Sequence, residues 1–339
     1  MYTFLNLDQT LIGMSQVLLD EGTWRTVRGF NCLEIPHPVL IEIVNPTDRY
    51  ITIPARKWNK TLPWAESLWM VLGMNDLHSL VGDYLKSLYT YADDGHTWRG
   101  GYGPRIRGFS GIATDYNVSS PKTRDVARGY VKTVDQLKYV VDAIKRDPYT
   151  RQAIIQIGDP VKDCFDYDDK IKQTKDFPCS RTLQFMVVDG RLNCSLTIRS
   201  NDLMYGLSAV NTTNFTLMQE YIANILGIPV GKYYMFINNL HIYKPHLDAI
   251  KIFAEMNMAD YTMSSYWQYS SRFKDLKYFD AAITALYYQE RGITSRQTDQ
   301  PAFYGHDFLD DWLLVFWKFH HKNDTHKFKN PMLNKLYKL

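Results

Sequence analysis

The chain reads Asp176-Phe177-Pro178-Cys179-Ser180-Arg181-Thr182-Leu183-Gln184-Phe185 and runs on to Arg199-Ser200-Asn201-Asp202. Between these ends lie two strand-like runs, Leu183–Val188 and Arg191–Ile198. The residues Asp189-Gly190 that separate the two runs are a strong signal for a two-residue hairpin turn. The pattern predicts a β-hairpin with Cys179 just ahead of its first strand.

Strand-like and helix-like segments alternate on both sides of this hairpin. Runs of β-branched and apolar residues predict strands at Val39–Val44, Ala153–Ile157 and Tyr233–Ile237. Apolar spacing predicts helices over 63–91, from a Thr133–Gln136 capping box to Pro148, and over Thr212–Leu226 with Gly227 as C-cap. After residue 246 the pattern is mostly helical. Strands separated by helices and hairpins indicate an α/β or α+β fold with a mixed sheet.

The composition narrows the class of protein. The 339 residues are 45% hydrophobic, and 39 Lys+Arg nearly balance 36 Asp+Glu, so we expect a large core and no nucleic-acid partner. The four cysteines lack zinc-type or disulfide-framework spacing, which predicts no metal site and a reducing, cytoplasmic compartment. We find neither a signal-peptide pattern nor an apolar run of about 18 residues, so we expect no membrane association.

Cys179 is the first candidate for chemistry. A thiol acts as a nucleophile only as its thiolate, and the nearby Arg181 and Arg199 favour that form. A single cysteine beside a strand is more often a small buried hydrophobic residue. The motifs that follow Cys179 in the chain are therefore needed to distinguish a nucleophile from a structural cysteine.

Arg199 and Ser200 follow an alternating strand and form a candidate phosphate site. A guanidinium matches two phosphate oxygens at once, and a serine hydroxyl adds a further donor. Arg151, at the start of another strand, invites the same interpretation. Each of these residues alone would be an ordinary surface residue.

Two further positions carry polar groups in strand-like or helix-like surroundings. Side chains alternate between the two faces of a strand, so His241 and Tyr243 lie on the same face. They either bind a sugar hydroxyl or are simply two half-buried rings. Glu66 has apolar neighbours on a predicted helix. It is either a surface charge or a buried acid with a raised pKa.

Seven motifs in order resemble those of thymidylate synthase-type enzymes. The resemblance covers roughly residues 25–246. The motifs are Glu66-Ser67-Leu68-Trp69, Tyr102-Gly103, Thr150-Arg151-Gln152, Pro178-Cys179 with Gln184-Phe185, Arg199-Ser200-Asn201-Asp202, Gly206-Leu207-Ser208-Ala209-Val210-Asn211, and Asn239-Leu240-His241-Ile242-Tyr243-Lys244-Pro245-His246. The resemblance implies a three-layer α/β (α+β) fold with a mixed sheet. It places a catalytic domain at 1–246 and a mainly helical extension at 247–339, packed on the same domain.

The resemblance also implies the chemistry. Cys179 would attack C6 of a pyrimidine, after which C5 takes up the one-carbon unit of the co-substrate 5,10-methylenetetrahydrofolate. Glu66 would relay protons through water to the pyrimidine carbonyl and the folate nitrogen. Tyr102 would help to remove the C5 proton, and Asp202 would hydrogen-bond the pterin ring.

Recognition of the nucleotide follows by the same resemblance. Arg199, Ser200 and Arg28 would hold the 5′-phosphate, and Arg151 would reach it across the interface of a homodimer. His241 and Tyr243 would bind the ribose 3′-hydroxyl.

Asn211 would read the edge of the base if one inserted residue is accepted in the loop before it; otherwise Val210 falls at that position. An amide suits O4 and N3–H of uracil, whereas the cytosine-specific relatives carry an aspartate there. We therefore favour dUMP over dCMP or CMP.

The chain departs from the family pattern at several places. Ser180 replaces a histidine, Gln152 replaces the second arginine of the dimer pair, and the usual tryptophans are missing around Leu88, Tyr89 and Tyr91. The C-terminal tail that closes over folate has no clear counterpart. A methylene intermediate that is less well shielded can be captured by water, so we favour a 5-hydroxymethyl product over reductive methylation.

Two other functions remain open at this point. The substitutions at Ser180 and Gln152 also fit a non-catalytic homologue that binds nucleotides or RNA. A cysteine hydrolase would need a histidine partner, and His241 and His246 are present without an oxyanion motif.

Overall fold

A computed structural model describes residues 1–124, 132–262 and 267–338. Its strands are β1 Tyr2–Phe4, β2 Thr23–Val27, β3 Phe30–Glu34, β4 Val39–Ile43, β5 Ile154–Gln156, β6 Ser180–Val188, β7 Arg191–Ile198, β8 Asn201–Asp202, β9 Val230–Ile237 and β10 Leu240–Tyr243. Its α-helices are α1 Leu7–Glu21, α2 Leu62–Val71, α3 Val81–Tyr84, α4 Tyr102–Arg107, α5 Gln136–Arg146, α6 Pro160–Asp163, α7 Asn211–Leu226, α8 Leu247–Ala254, α9 Leu276–Thr294, α10 Asp307–His320 and α11 Pro331–Tyr337.

The strands described form a six-stranded sheet in the order β1-β4-β9-β7-β6-β5 and a four-stranded sheet in the order β2-β3-β10-β8. The larger sheet is mixed, because β1 and β4 are parallel, as are β7 and β9, while the other neighbours are antiparallel. The predicted mixed sheet is confirmed.

The predicted hairpin is β6 and β7. Asp189 and Gly190 both have positive φ, 50° and 71°, as a tight two-residue turn between twisted strands requires. The pairing shifts between Ser180 and Thr182, so Arg181 is an extra residue on β6. Such a β-bulge changes the direction of the strand, here directly after Cys179.

Helix α7 lies at the centre of the molecule. Almost all of its side chains are buried, including polar ones such as Thr213, Asn214 and Gln219. It ends where predicted, at Gly227, whose φ of 71° allows a left-handed C-cap. The position of α7 against α2 and β7 brings several buried polar groups to one place.

Two predictions about helices are corrected. The predicted helix over 63–91 ends at Val71, because Gly73 takes a left-handed φ of 78°, and the chain then forms α3 and a 3₁₀ helix at Lys86–Tyr91. Helix α5 is confirmed, but its cap is Asp135, whose carboxylate accepts from Lys138 N at 3.1 Å. The Thr133 capping box was wrong because Val134 instead pairs with Phe109 in a β-bridge.

The segment from 267 onward packs against the helix that carries Glu66. The indole of Trp312 in α10 is buried against Trp64 in α2, with ring centroids 5.7 Å apart. Arg107 of α4 pairs with Asp280 of α9 at 2.8 Å. Within the described residues, no helix is long and apolar enough to cross a bilayer.

Candidate active site

Cys179 stands at the start of β6, beside Arg199 at the end of β7. Arg199 N donates to Cys179 O at 2.9 Å, which continues the hairpin pairing past the last strand residues. The pairing places Arg199 Nη2 3.5 Å from Cys179 Sγ. A thiol and a guanidinium that are far apart in sequence therefore meet because the hairpin register requires it.

The guanidinium of Arg199 is held in place by the loop that precedes the nucleophile. It donates to Phe177 O at 2.8 Å and to Pro178 O at 3.0 Å. The Phe177 ring lies beside two guanidinium groups, 5.0 Å from that of Arg199 and 5.3 Å from that of Arg181. Positive charge is thus concentrated around the thiol.

The pKa of the Cys179 thiol lies above its ordinary value because burial disfavours the thiolate. Arg199 opposes this effect most strongly, and Arg28 and Arg181 oppose it as well, whereas Asp176 adds to it. In the ligand-free protein, the arginines therefore reduce the desolvation cost without cancelling it.

Tyr102 approaches the nucleophile from α4. Its hydroxyl oxygen accepts from Ser180 N at 3.1 Å, and its ring stacks on Phe215 at a centroid distance of 5.9 Å. Burial, together with the neighbouring Cys179, raises the pKa of Tyr102 well above its ordinary value. Tyr102 is therefore a neutral phenol, hydrogen-bonded to the residue that follows Cys179.

Glu66 is a buried acid and not a surface charge. All ten residues of α2 are buried, and the pKa of the Glu66 carboxyl rises to about 7 because of desolvation. Asn214 of α7 donates to Glu66 Oε2 at 3.2 Å, which partly offsets this rise. A carboxyl with a pKa near neutrality can both take up and release a proton.

Asp202, His241 and Tyr243 meet on the smaller sheet. Asp202 of β8 pairs in register with His241 of β10, and the rings of His241 and Tyr243 lie 5.3 Å apart. Asp202 Oδ1 caps the next turn by accepting from Met204 N and Tyr205 N at 2.7 and 2.6 Å.

Only one of the two carboxylate oxygens of Asp202 takes part in this cap. Its Oδ2 is buried and has no hydrogen-bond partner among the residues described, and burial raises the pKa of the carboxyl. A buried acceptor without a partner is costly in the free protein. It fits the ring N–H or amine donor of a pterin, the role predicted for Asp202.

Asn211 is the first residue of α7 and follows a π-helix at Leu203–Val210. A π-helix contains one residue more per hydrogen-bonded turn than an α-helix, so it can hold an inserted residue without moving the flanking elements. This geometry accommodates the insertion on which the prediction for Asn211 depends.

Arg28 and Arg199 line one cavity of about 260 Å³, which also contacts Phe177 and Thr174. Arg28 lies at the turn between β2 and β3 with a φ of 50°. Ser200, next to Arg199, donates to Asn239 Oδ1 at 3.5 Å. Two of the three residues predicted to hold the phosphate within one chain, Arg28 and Arg199, therefore face the same cavity.

Arg151 lies apart from this group. Its side chain is exposed just before β5, the edge strand of the larger sheet, and its backbone oxygen accepts from Gln184 Nε2 at 3.0 Å. Within the single chain it does not approach Cys179, so its predicted role across a dimer interface stays a prediction.

Sequence reasoning missed a buried ionic cluster beneath the site. Asp163, which is fully buried, accepts from Arg105 at 2.7 and 2.9 Å and from Arg99 at 3.2 Å. Arg99 also donates to Asp176 O at 3.2 Å, and Gly100 N donates to Asp176 Oδ2 at 2.8 Å. The cluster fixes the Tyr102 helix relative to the loop before Cys179. The arginines of 99–107 were visible in the sequence, but their partner lies about 60 residues further along the chain.

The residues described contain no group of three or more His, Cys, Asp or Glu side chains that could hold a metal ion. The side chains around Cys179 instead offer cations, amides, a phenol and a buried carboxyl. This is the donor set expected for an anionic organic substrate that reacts with a nucleophilic thiol.

Comparison with known proteins agrees with the family resemblance seen in the sequence motifs. The family model for thymidylate synthase matches residues 14–295. A deoxyuridylate hydroxymethyltransferase of Bacillus phage SP01 is 35% identical over 245 residues, which cover 72% of this chain and 59% of that protein. The enzyme of the same name from Pseudomonas phage M6 is 29% identical over 252 residues, covering 74% of this chain and 64% of that protein.

A third relative named deoxyuridylate hydroxymethyltransferase, from Delftia phage PhiW-14, is 26% identical over 216 residues, covering 62% of this chain and 54% of that protein. The matches thus span between 54% and 64% of the length of these three relatives. The family model, by contrast, matches most of this chain and includes every predicted site residue. The chain belongs to the thymidylate synthase family.

Proposed function

We propose that this protein transfers a one-carbon unit from 5,10-methylenetetrahydrofolate to C5 of dUMP and releases 5-hydroxymethyl-dUMP. One observation carries the proposal: Arg199 Nη2 lies 3.5 Å from Cys179 Sγ, and the Tyr102 hydroxyl accepts a hydrogen bond from the backbone N–H of the next residue, Ser180. The names of the relatives support the choice of nucleotide and product.

The first step is addition of the Cys179 thiolate to C6 of the pyrimidine. The electron pair of the C5–C6 double bond then forms a bond from C5 to the methylene carbon of the folate, while one of the two bonds from that carbon to a folate nitrogen breaks and the nitrogen takes up a proton. Glu66 supplies protons through water to this nitrogen and to the C4 carbonyl oxygen of the pyrimidine. The neutral form of Glu66 that its pKa of about 7 allows is suited to this donation. Arg199 stabilises the thiolate that attacks.

The second step removes the C5 proton and breaks the remaining bond between the methylene carbon and a folate nitrogen. Tyr102, within reach of the Cys179 backbone segment, assists the proton transfer through its hydroxyl. The result is an exocyclic methylene at C5. Water adds to this methylene, and the Cys179 thiolate leaves C6, so that no electrons are taken from tetrahydrofolate.

Recognition of the substrate involves both sheets. We infer that Arg28, Arg199 and Ser200 hold the phosphate, and that His241 and Tyr243 bind the 3′-hydroxyl. We further infer a homodimer in which Arg151 of one subunit reaches the phosphate in the other. The exposure of Arg151 supports this arrangement.

The folate binds, in this proposal, against Asp202 and Glu66. The unpaired Asp202 Oδ2 supports a donor from the pterin at this position. We also propose a cytoplasmic location, since Cys32, Cys164, Cys179 and Cys194 are all free thiols.

The test uses dUMP labelled with tritium at C5, together with methylenetetrahydrofolate. The wild-type protein should release tritium and form a product heavier than dUMP by one CH₂O unit, and Cys179→Ala should do neither. No tritium release from dUMP, dCMP or CMP would overturn the enzymatic proposal. Formation of dihydrofolate and dTMP would instead identify reductive methylation, the alternative chemistry.

A non-catalytic nucleotide-binding homologue is the other alternative. The substitutions at Ser180 and Gln152 remain the observations that favour it. It predicts equal dUMP affinity for the wild type and Cys179→Ala, with no turnover by either protein.

A further inference from the structure

Asn201 and Asn211 form a pair of side-chain amides at the position where the base would be read. Asn211 Nδ2 donates to Asn201 Oδ1 at 3.2 Å, and Asn201 is only 1% exposed. The nitrogen of the same Asn201 amide, Nδ2, is buried without a hydrogen-bond partner among the described residues. Asn201 therefore takes part in the pair only as an acceptor.

Gly206 provides the space for this pair. A Cβ at Gly206 would lie 2.0 Å from Asn201 Oδ1 and 2.9 Å from Asn211 Nδ2, both too close for real atoms. Any side chain at position 206 would push the two amides out of their present positions.

The acceptor is also fixed relative to the sheet. Asn201 N donates to Asn239 O at 2.9 Å, and β8 pairs with β10 through Leu240. The backbone of Asn201 is therefore held in the sheet, while Asn211 opens the helix that follows the π-helix.

We propose that Asn201 determines the choice of base, by fixing the orientation of the Asn211 amide so that the site accepts uracil and rejects cytosine. The inference rests on the proposed function, because it assumes that Asn211 faces the base. Asn201 acts through Asn211 and is not itself a catalytic residue.

The chemistry of the two bases gives the reason. Uracil presents an acceptor at O4 and a donor at N3–H, whereas cytosine presents an amine donor and an unprotonated N3. With one N–H of Asn211 given to Asn201, the second N–H remains for O4 and Oδ1 remains for N3–H. Cytosine would need the reversed amide, which turns Asn211 Oδ1 towards Asn201 Oδ1. The pair then contains a hydrogen only if the Asn201 amide turns as well, which the acceptor-only carboxylate of Asn201→Asp cannot do.

Two substitutions at position 201 should give different results. Asn201→Ala removes the acceptor, so the Asn211 amide can reverse and accept cytosine. Asn201→Asp retains an acceptor at this position and loses only the NH₂ group that has no partner. Because a bidentate contact to a base edge is worth about 1 to 3 kcal/mol of discrimination, we expect Asn201→Ala to lower the preference for dUMP over dCMP by about fivefold or more.

The preference is measured in two ways: as the ratio of kcat/KM for the two nucleotides, and as the ratio of their dissociation constants in the Cys179→Ala background. Asn201→Asp should keep at least the wild-type ratio. Unchanged ratios in Asn201→Ala, or a loss of preference as large in Asn201→Asp, would overturn the inference.

Asn193 provides a matched control. Its Oδ1 accepts from Lys232 N at 2.8 Å and also lies against a glycine, 2.1 Å from a Cβ placed on Gly231, but it belongs to the pairing of β7 with β9. Asn193→Ala should leave both ratios as in the wild type, so a changed ratio in this variant would mean that general loosening, and not Asn201, sets the preference.

Failure of the proposed function is distinguishable from failure of this inference. If nucleotides bind to the wild type but no tritium is released, the catalytic proposal fails while the binding ratios still test Asn201. If the wild type binds neither dUMP nor dCMP, both proposals are overturned.

Discussion

Asn214 in α7 donates its side-chain amide to Glu66 Oε2 in α2 at 3.2 Å, and Ser67 Oγ donates to the oxygen of the same amide at 2.8 Å. Ser67 thereby turns the NH₂ group of Asn214 towards Glu66. All three side chains are buried. The protonation of Glu66 therefore depends on a side chain from a neighbouring helix as well as on burial.

The first prediction concerns the pH dependence of activity. Asn214→Ala removes a hydrogen bond that favours the ionised carboxylate, so the pKa of Glu66 should rise above its present value of about 7. Because the proposed mechanism uses the protonated form of Glu66, we expect the alkaline limb of the kcat/KM profile for tritium release to move to higher pH by about one unit, or ~1.4 kcal/mol. Ser67→Ala, which frees the amide without removing it, should shift the limb less.

The control for this prediction is Asn193→Ala, which truncates an amide away from the site and should leave the profile unchanged. An alkaline limb that stays in place in Asn214→Ala would show that Glu66 does not set it.

The second prediction is that Glu66 lowers stability at alkaline pH. Its folded pKa of about 7 lies above the ordinary 4.5, so between these pH values the folded protein holds a proton that the unfolded chain has lost. The free energy of unfolding therefore falls as the pH rises through this window. Glu66→Gln removes the effect and should be more stable than the wild type above pH 7, by on the order of 3 kcal/mol, with little difference near pH 4.

Urea denaturation of both proteins at several pH values measures this difference. A gap between wild type and Glu66→Gln that does not grow from acid to alkaline pH would contradict it. The same variant should lose catalytic activity, because glutamine cannot relay a proton.

The sequence predicted the central hairpin well because two local signals agreed there. The alternation in 183–198 and the Asp189-Gly190 turn both depend on neighbours in the chain. The prediction of one long helix over 63–91 was wrong because it used apolar spacing alone. That spacing continues past Gly73, but the left-handed conformation of this glycine ends the helix.

Contacts between distant segments were much harder to predict. Asn214 lies inside a correctly predicted helix, yet its partner Glu66 lies 148 residues away. The π-helix before Asn211 was visible only as an unexplained extra residue, since its i to i+5 pattern has no sequence signature of its own. Packing determines both features, and residue spacing does not.

The third prediction concerns the helices that follow residue 267. Trp312 Nε1 donates to Trp64 O at 3.1 Å, so α10 supports the helix that carries Glu66. Trp312→Phe keeps most of the packing but leaves this carbonyl without the indole donor. It should lower the free energy of unfolding by about 1 to 3 kcal/mol.

The larger change Trp312→Ala should cost about 3 to 5 kcal/mol and also reduce kcat, since the cavity lies directly against α2. Thermal denaturation and tritium release in parallel check both effects. If Trp312→Ala lost stability and kept the wild-type kcat, α10 would have no influence on the position of Glu66.

The fourth prediction tests a buried ion pair. Arg49 Nη2 lies 2.6 Å from the Glu220 carboxylate, and both side chains are almost fully buried. Glu220→Ala leaves a guanidinium in the core without its counter-charge, which should cost about 3 to 5 kcal/mol in chemical denaturation. The exposed pair of Lys138 and Asp142 is the control, and Asp142→Ala should change stability by about 1 kcal/mol or less.

The last prediction concerns His306, which precedes α10. The imidazole is buried and stacks on Phe273 at a centroid distance of 4.3 Å. Burial lowers the pKa of His306, although hydrogen bonds to the backbone of His306 and Arg272, and the nearby Asp310 and Asp307, act in the opposite direction. Below its ordinary value of 6.5, the unfolded chain therefore binds a proton that the folded protein excludes, and stability falls as the pH decreases through this range.

His306→Phe preserves the stacked ring and removes the titration. Its advantage over the wild type in urea denaturation should accordingly increase as the pH is lowered from 8 to 5. His37→Phe, at an exposed histidine paired with Glu21, should show no such increase. Parallel stability curves for His306→Phe and the wild type would mean that His306 takes up its proton in the folded protein as readily as in the unfolded chain, which the burial of the ring argues against.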